Sequence, residues 1–172
     1  MQKRSRNTTT TPIAMASMTI STCSCAPGAF RPVVPLCQKA AGCDWPAGDQ
    51  ALSHLVALSM DRFGTPTGLF TTNRWVTAET WYPGADVIRM LPHFAIDHAY
   101  PSWPTNRWLT AMVRLFHPQI AQLIHARDAA LAARRKAHPD RDVFEDREFE
   151  VLSETTMDVA AQMKAIAQAL DQ

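Results

Sequence analysis

Residues 151–170 read VLSETTMDVAAQMKAIAQAL, and how this stretch is taken decides the fold. Leu152, Thr156, Val159, Met163, Ile166 and Leu170 fall at steps of 4, 3, 4, 3 and 4, the spacing of a heptad seam. The spacing predicts a helix over 151–170, with Thr155-x-x-Asp158 offering a capping box inside it. Upstream, Trp108, Leu109, Met112, Val113 and Phe116, then Ile120, Leu123, Ile124 and Leu131, recur at helical intervals. They predict a helix over 105–138, capped by Thr105 and kinked or restarted at Pro118. Two antiparallel helices joined near Pro139 follow. The expected fold class is therefore mainly α: a long C-terminal antiparallel helical hairpin packed on a small Trp-rich, proline-broken segment, with little or no β structure. On this reading Val159, Met163 and Ile166 are buried in the seam. The basic end of the first arm (Arg127, Arg134, Arg135, Lys136) then faces the acidic start of the second (Asp140, Asp142, Glu145, Asp146, Glu148).

The residues before the hairpin are less regular. Prolines 83, 92, 101 and 104 forbid a long helix between 61 and 104, and Asp86 to Leu91 suits a short strand. Trp75, Trp81, Trp103 and Trp108 crowd into this region and are expected to form its compact core. Leu52, Leu55, Val56 and Leu58 predict a short helix over 49–60, capped by Asp49. A single domain over 49–172 results, preceded by an unstructured or leader-like extension over 1–48.

Charge separates these parts. Residues 1–43 hold five Lys or Arg and no acid, residues 62–136 carry a net +5, and residues 137–172 a net −6. Only a local basic face would therefore meet a polyanion. The acid-free leader has the composition of an organellar transit peptide; without such a role for 1–43 the expected location is cytoplasmic. Met60 is an alternative start. All four cysteines (Cys23, Cys25, Cys37, Cys43) lie in the leader, at spacings unlike those of zinc knuckles. No apolar run approaches the length of a transmembrane helix.

One motif rises above background. Thr72-Asn73-Arg74-Trp75-Val76-Thr77-Ala78 returns as Thr105-Asn106-Arg107-Trp108-Leu109-Thr110-Ala111, six of seven positions identical. A third copy at the same offset is missing, so a solenoid is excluded. Each copy reads as a Thr-capped helix start with Trp turned inward. The bland account is one capping solution used twice; the functional one is a paired anion-binding surface at Arg74 and Arg107. His93, Asp97 and His98 supply metal-ligating side chains, without any H-E-x-x-H pattern. Glycine-rich phosphate loops and nucleophile elbows are missing, and no cofactor is implied.

These residues point first to a non-catalytic accessory or regulatory protein that binds another macromolecule through the hairpin surface, with Val159, Met163 and Ile166 at the interface. The partner is another protein, or a second copy meeting the C-terminal helix. A second reading is a nucleic-acid-binding module using Arg74, Arg107, Arg114, Arg134, Arg135 and Lys136. A third is a small metal-dependent enzyme around His93, Asp97 and His98.

Overall fold

A computed structural model describes the backbone of residues 16–21 and residues 52–78, 80–97 and 99–171. The cysteines and most of the 1–48 segment lie outside the described residues. The fold is α+β. Strands β1 (Ala16–Ser21), β2 (Leu52–Met60), β3 (Pro66–Thr72) and β4 (Val151–Thr156) form one sheet in that spatial order, antiparallel throughout. Helices α1 (Arg74–Thr77), α2 (Gly84–Met90), α3 (Trp103–Leu115), α4 (His117–Ala137) and α5 (Val159–Leu170) accompany it.

The sheet corrects the expectation of little or no β structure and removes the helical hairpin. Residues 52–60 are not a helix: Ser53 and Leu55 to Leu58 are all buried. Consecutive buried positions suit a strand covered on both faces, and a run of nine residues cannot be told from a helix by spacing alone. The predicted helix over 151–170 divides at Met157. Its first part, Val-Leu-Ser-Glu-Thr-Thr, becomes β4 because Thr71, Phe70 and Leu69 of β3 pair with Ser153, Glu154 and Thr155. The β-branched Val151, Thr155 and Thr156 favour this choice. Conversely, residues 86–91 are no strand, since Asp86 to Met90 belong to α2 and Leu91 opens a 3-10 turn. Ala16–Ser21 pairs with β2, so these six residues join the sheet and are not an unstructured extension.

The β2–β3 turn is set by Asp61, whose Oδ1 accepts from the N–H groups of Phe63 (2.8 Å) and Thr65 (2.9 Å). Gly64 takes φ +82°, a conformation that costs glycine little. α3 and α4 are two helices, because Pro118 lacks an N–H and its ring excludes the carbonyl four residues earlier. α4 buries Ile120, Leu123, Ile124, Arg127 and Leu131 along one stripe, and Ile120, Leu123 and Ile124 meet Leu55, Val56, Leu58 and Leu69 of the sheet. Val87 and Met90 of α2 and Met112 and Val113 of α3 complete this core. It is aliphatic. Trp103 is 55% exposed, Trp108 is only partly buried at its margin, and Trp81 packs against a second, smaller cluster of Leu131, Val143, Phe144 and Leu152. The tryptophans are thus not the central packing unit the sequence suggests. Each fully buried Leu, Ile or Val contributes about 1.5–3 kcal/mol, so the sheet–α4 layer carries most of the stability.

Candidate functional site

Two features of this fold offer chemistry or recognition: a polar slot beneath α4 and the surface of α5.

The slot lies where β2, β3, the 73–82 segment and α4 meet. Its lining includes His54, Thr71, Thr72, Arg74, Thr80 and Arg127, and the space for the centre of a water molecule is about 10 Å³. Arg127 projects from the buried stripe of α4 and is 3% exposed. Its Nη2 donates to the Tyr82 carbonyl (2.9 Å) and to Asp128 Oδ1 (2.7 Å), and its Nε also donates to Asp128 Oδ1 (2.9 Å). The Trp81 ring lies 4.2 Å from the guanidinium. Burial lowers the Arg127 pKa against the opposing effect of Asp128. Burial, with Arg127 next, also pulls His54 down from 6.5 to about 4, so its imidazole is neutral near pH 7. Ser153 donates to the Leu123 carbonyl (2.9 Å); its hydroxyl contact with Thr71 (2.7 Å) therefore uses the Thr71 proton. None of His54, Thr72 or Arg127 was a candidate from sequence as a slot residue. Their signal, a polar side chain inside an apolar period, becomes informative only once β2 is read as a strand.

The duplicated heptapeptide is used in two different ways. Asn73, not Thr72, caps α1: its Oδ1 accepts from the Arg74 N–H (2.8 Å). Its Nδ2 donates to the carbonyls of Val143 (2.7 Å) and Phe149 (3.0 Å), and its own N–H to Glu150 (2.8 Å). Arg74 forms an ion pair with Glu145, its side chain only 11% exposed. The first copy therefore ties the acidic 138–150 loop to the sheet. In the second copy Ser102 is the cap position, Thr105 is already inside α3, and Asn106 Nδ2 donates to the Tyr100 carbonyl (3.0 Å). Arg107 is exposed beside Trp103. Arg74 and Arg107 are not two exposed guanidiniums, which removes the geometry a paired anion surface requires.

The other sequence candidates are dispersed. Arg134 is committed to Asp146 (2.8 Å) and Glu148 (3.4 Å). Its side-chain hydrogen bond holds the Asp146 carboxyl below its usual range, helped by the Glu148 N–H. Arg127 bonds Asp128 and Tyr82 rather than the acidic loop. Arg114 and Lys136 are exposed, and Arg135 stacks over Phe144. Of the metal candidates, His93 ends the 3-10 turn, Asp97 is exposed in the following loop, and His98 lies outside the described residues. Among the described residues no group of three His, Cys, Asp or Glu could hold a metal ion.

Among the described residues, α5 is anchored only at its start. Asp158 caps it by accepting from the Ala161 N–H (3.0 Å), and Val159 packs against the main core. Gln162 donates to the Leu115 carbonyl (3.1 Å) and accepts from Gln119 (2.8 Å). Beyond this turn Met163 is 59%, Ile166 39% and Leu170 82% exposed. The expected burial of Met163 and Ile166 within a hairpin is thereby overturned, because the arm that was to cover them is a loop and β4. Lys164 is the single charge between Val159 and Leu170. No helix among the described residues is long and apolar enough to cross a membrane.

No curated protein and no solved structure matches the chain. Residues 25–157 match the model of DUF6969, a domain of unknown function. The match covers most of the chain, so the chain belongs to the DUF6969 family.

Proposed function

We propose that this member of DUF6969 is a non-catalytic accessory protein that binds another protein through α5. The observation that carries this reading is the 12-residue helix with no buried residue, whose Met163, Ile166 and Leu170 lie on one stripe open to solvent. A solvent-facing helix of a monomer ordinarily shows a charged outer face, yet this one has one lysine. A contiguous exposed apolar strip marks an interaction site. Its rigid first turn supports the same reading, since a pre-ordered helix loses less entropy when a groove receives it. The family match ends at residue 157, before α5, so the proposed interface belongs to this chain and not to the matched region. Capture from lysate of the native organism tests the idea, comparing the wild type with the Met163→Asp/Ile166→Asp variant. A protein enriched by the wild type and lost with the variant supports it. Identical captures, with a folded variant, reject it. Analytical ultracentrifugation of the same pair shows whether the lost partner is a second copy.

A further inference from the structure

We propose that a third surface, the outer face of α3 with Tyr100 just ahead of it, docks a single-stranded nucleic acid. Bases stack on Tyr100 and Trp103, and phosphates meet Arg107 and Arg114. This surface is separate from α5 and stands or falls independently of it.

Charge favours an anionic ligand here. Residues 98–127 contain no Asp or Glu. Within that stretch Arg107 and Arg114 are exposed, and neither forms an ion pair among the described residues. Arg74, Arg89, Arg127, Arg134 and Arg141, by contrast, each hold a carboxylate. Asp97 precedes α3 in a loop tied to the helix by the Ile96 N–H, which donates to Thr110 Oγ1 (3.0 Å), yet Asp97 pairs with neither arginine.

Spacing arranges these charges along a track. Trp103, Arg107, Ala111 and Arg114 follow one another at steps of 4, 4 and 3, so they share one side of the helix, and all four are exposed. The two arginines lie two turns apart, about 10 Å along the axis, with only the Ala111 methyl between them. An extended chain can therefore run from one guanidinium to the other without meeting a bulky side chain.

The aromatic rings choose the ligand. Tyr100 is 83% and Trp103 55% exposed, large rings left open at the start of this track. Asn106 Nδ2 donates to the Tyr100 carbonyl (3.0 Å), which fixes the residue bearing one ring to the helical turn that follows the other. The Arg107 guanidinium sits 5.8 Å from the Trp103 ring centre, so charge and stacking surface adjoin. An acidic peptide uses the guanidiniums and leaves the rings idle, and a duplex hides the faces of its bases. A single strand offers both phosphates and open base faces.

Fluorescence anisotropy of labelled oligo(dT) and oligo(U), titrated with the full chain at several salt concentrations, tests this. Two phosphate contacts on a single strand contribute about −1.4 to the slope of log K against log[salt], or about sevenfold weaker binding from about 50 to 200 mM NaCl. Arg107→Gln/Arg114→Gln should therefore bind more weakly and lose about that much of the wild-type slope, a difference to which charges elsewhere in the chain do not contribute. Trp103→Leu should weaken binding about fivefold or more and leave the slope unchanged, because stacking releases no counterions. These exposed positions should leave melting close to wild type. The ratio of the two oligomers shows whether the 2′-hydroxyl is read. A wild type that binds neither, a duplex or polyglutamate bound as tightly as the single strands, or a double variant with the wild-type slope overturns the assignment. So does unchanged affinity in a folded Trp103→Leu; if that variant fails to fold, Tyr100→Ser carries the same test.

Discussion

Replacing Asn73 by alanine removes the residue that joins the sheet to the acidic loop. Asn73 is fully buried, and its side chain makes three hydrogen bonds, two donated to the carbonyls of Val143 and Phe149 and one accepted from the Arg74 N–H. A buried carbonyl left without its donor costs about 1–3 kcal/mol, and losing the cap about 1 kcal/mol more. The sum is roughly 3–7 kcal/mol, a large part of the 5–15 kcal/mol that holds an ordinary domain together. At about 2–4 °C per kcal/mol for a chain of this length, Tm should fall by at least about 6 °C. Urea unfolding followed by circular dichroism measures the loss directly. Asn73→Asp sharpens the test. It preserves the capping oxygen but turns a carboxylate toward two carbonyls, an environment that raises the folded-state pKa of the new carboxyl. Because the native state then holds its proton more tightly than the unfolded state, stability of the variant should increase as pH falls from 7 to 5, relative to wild type. A loss below about 1 kcal/mol for Asn73→Ala, or a pH-independent deficit for Asn73→Asp, would refute the bonding scheme.

Further outcomes follow from the same structure. The His54 pKa is about 4 when folded against 6.5 ordinarily, so its contribution is complete above pH 6.5 and is lost as pH falls toward 4. Wild type should lose roughly 2 kcal/mol more than His54→Gln between pH 7 and 4.5, an upper estimate for a partly buried group, measured by urea unfolding at each pH. At Gly84 a Cβ would approach Asp128 Oδ2 to 2.6 Å and the Ile124 methyl to 2.9 Å, and the Gly84 N–H donates to that same Asp128 oxygen (2.7 Å). Gly84→Ala should therefore destabilise by about 1–3 kcal/mol in thermal melting, since α2 must lift from α4. Met163→Asp alone should change stability by less than about 0.5 kcal/mol, because Met163 is exposed; a larger loss would show that α5 packs onto the domain.

The sequence makes α3 and α4 legible because their apolar stripes run for three turns or more, and because Pro118 has only one comfortable place, the first turn of a new helix. The strands were hidden by length. Six to nine residues carry too few positions to separate a period of two from one of 3.6, and β2 is apolar on consecutive positions because both its faces are covered. The heptad seam of 151–170 misled for a related reason. Its second half, Val159 to Leu170, is a helix; its first half kept step only through Leu152 and Thr156, which alternate with Val151 and Thr155 as a strand requires.

The candidate sites depend on what that misreading concealed. An arginine at position 127, one turn from Leu123 and Leu131, looks in sequence like the edge of a helix with a basic end. Only the packing of α4 on β2 and β3 drives it inward, beside His54 and Trp81, where it must find the Tyr82 carbonyl and Asp128. Asn73 and Asn106 carry the opposite lesson. Identical neighbours place both amides at the beginning of a helix, yet one reaches 70 residues along the chain to Val143 and the other six residues back to Tyr100. Local sequence sets where each amide starts, while the acceptor is chosen by whichever loop the tertiary fold lays alongside. For the first copy that loop is the acidic one, whose Glu145 also neutralises Arg74. The feature that most resembled a binding motif thus acts as a structural clamp, and its first residue, Thr72, keeps a buried hydroxyl without a hydrogen-bond partner among the described residues.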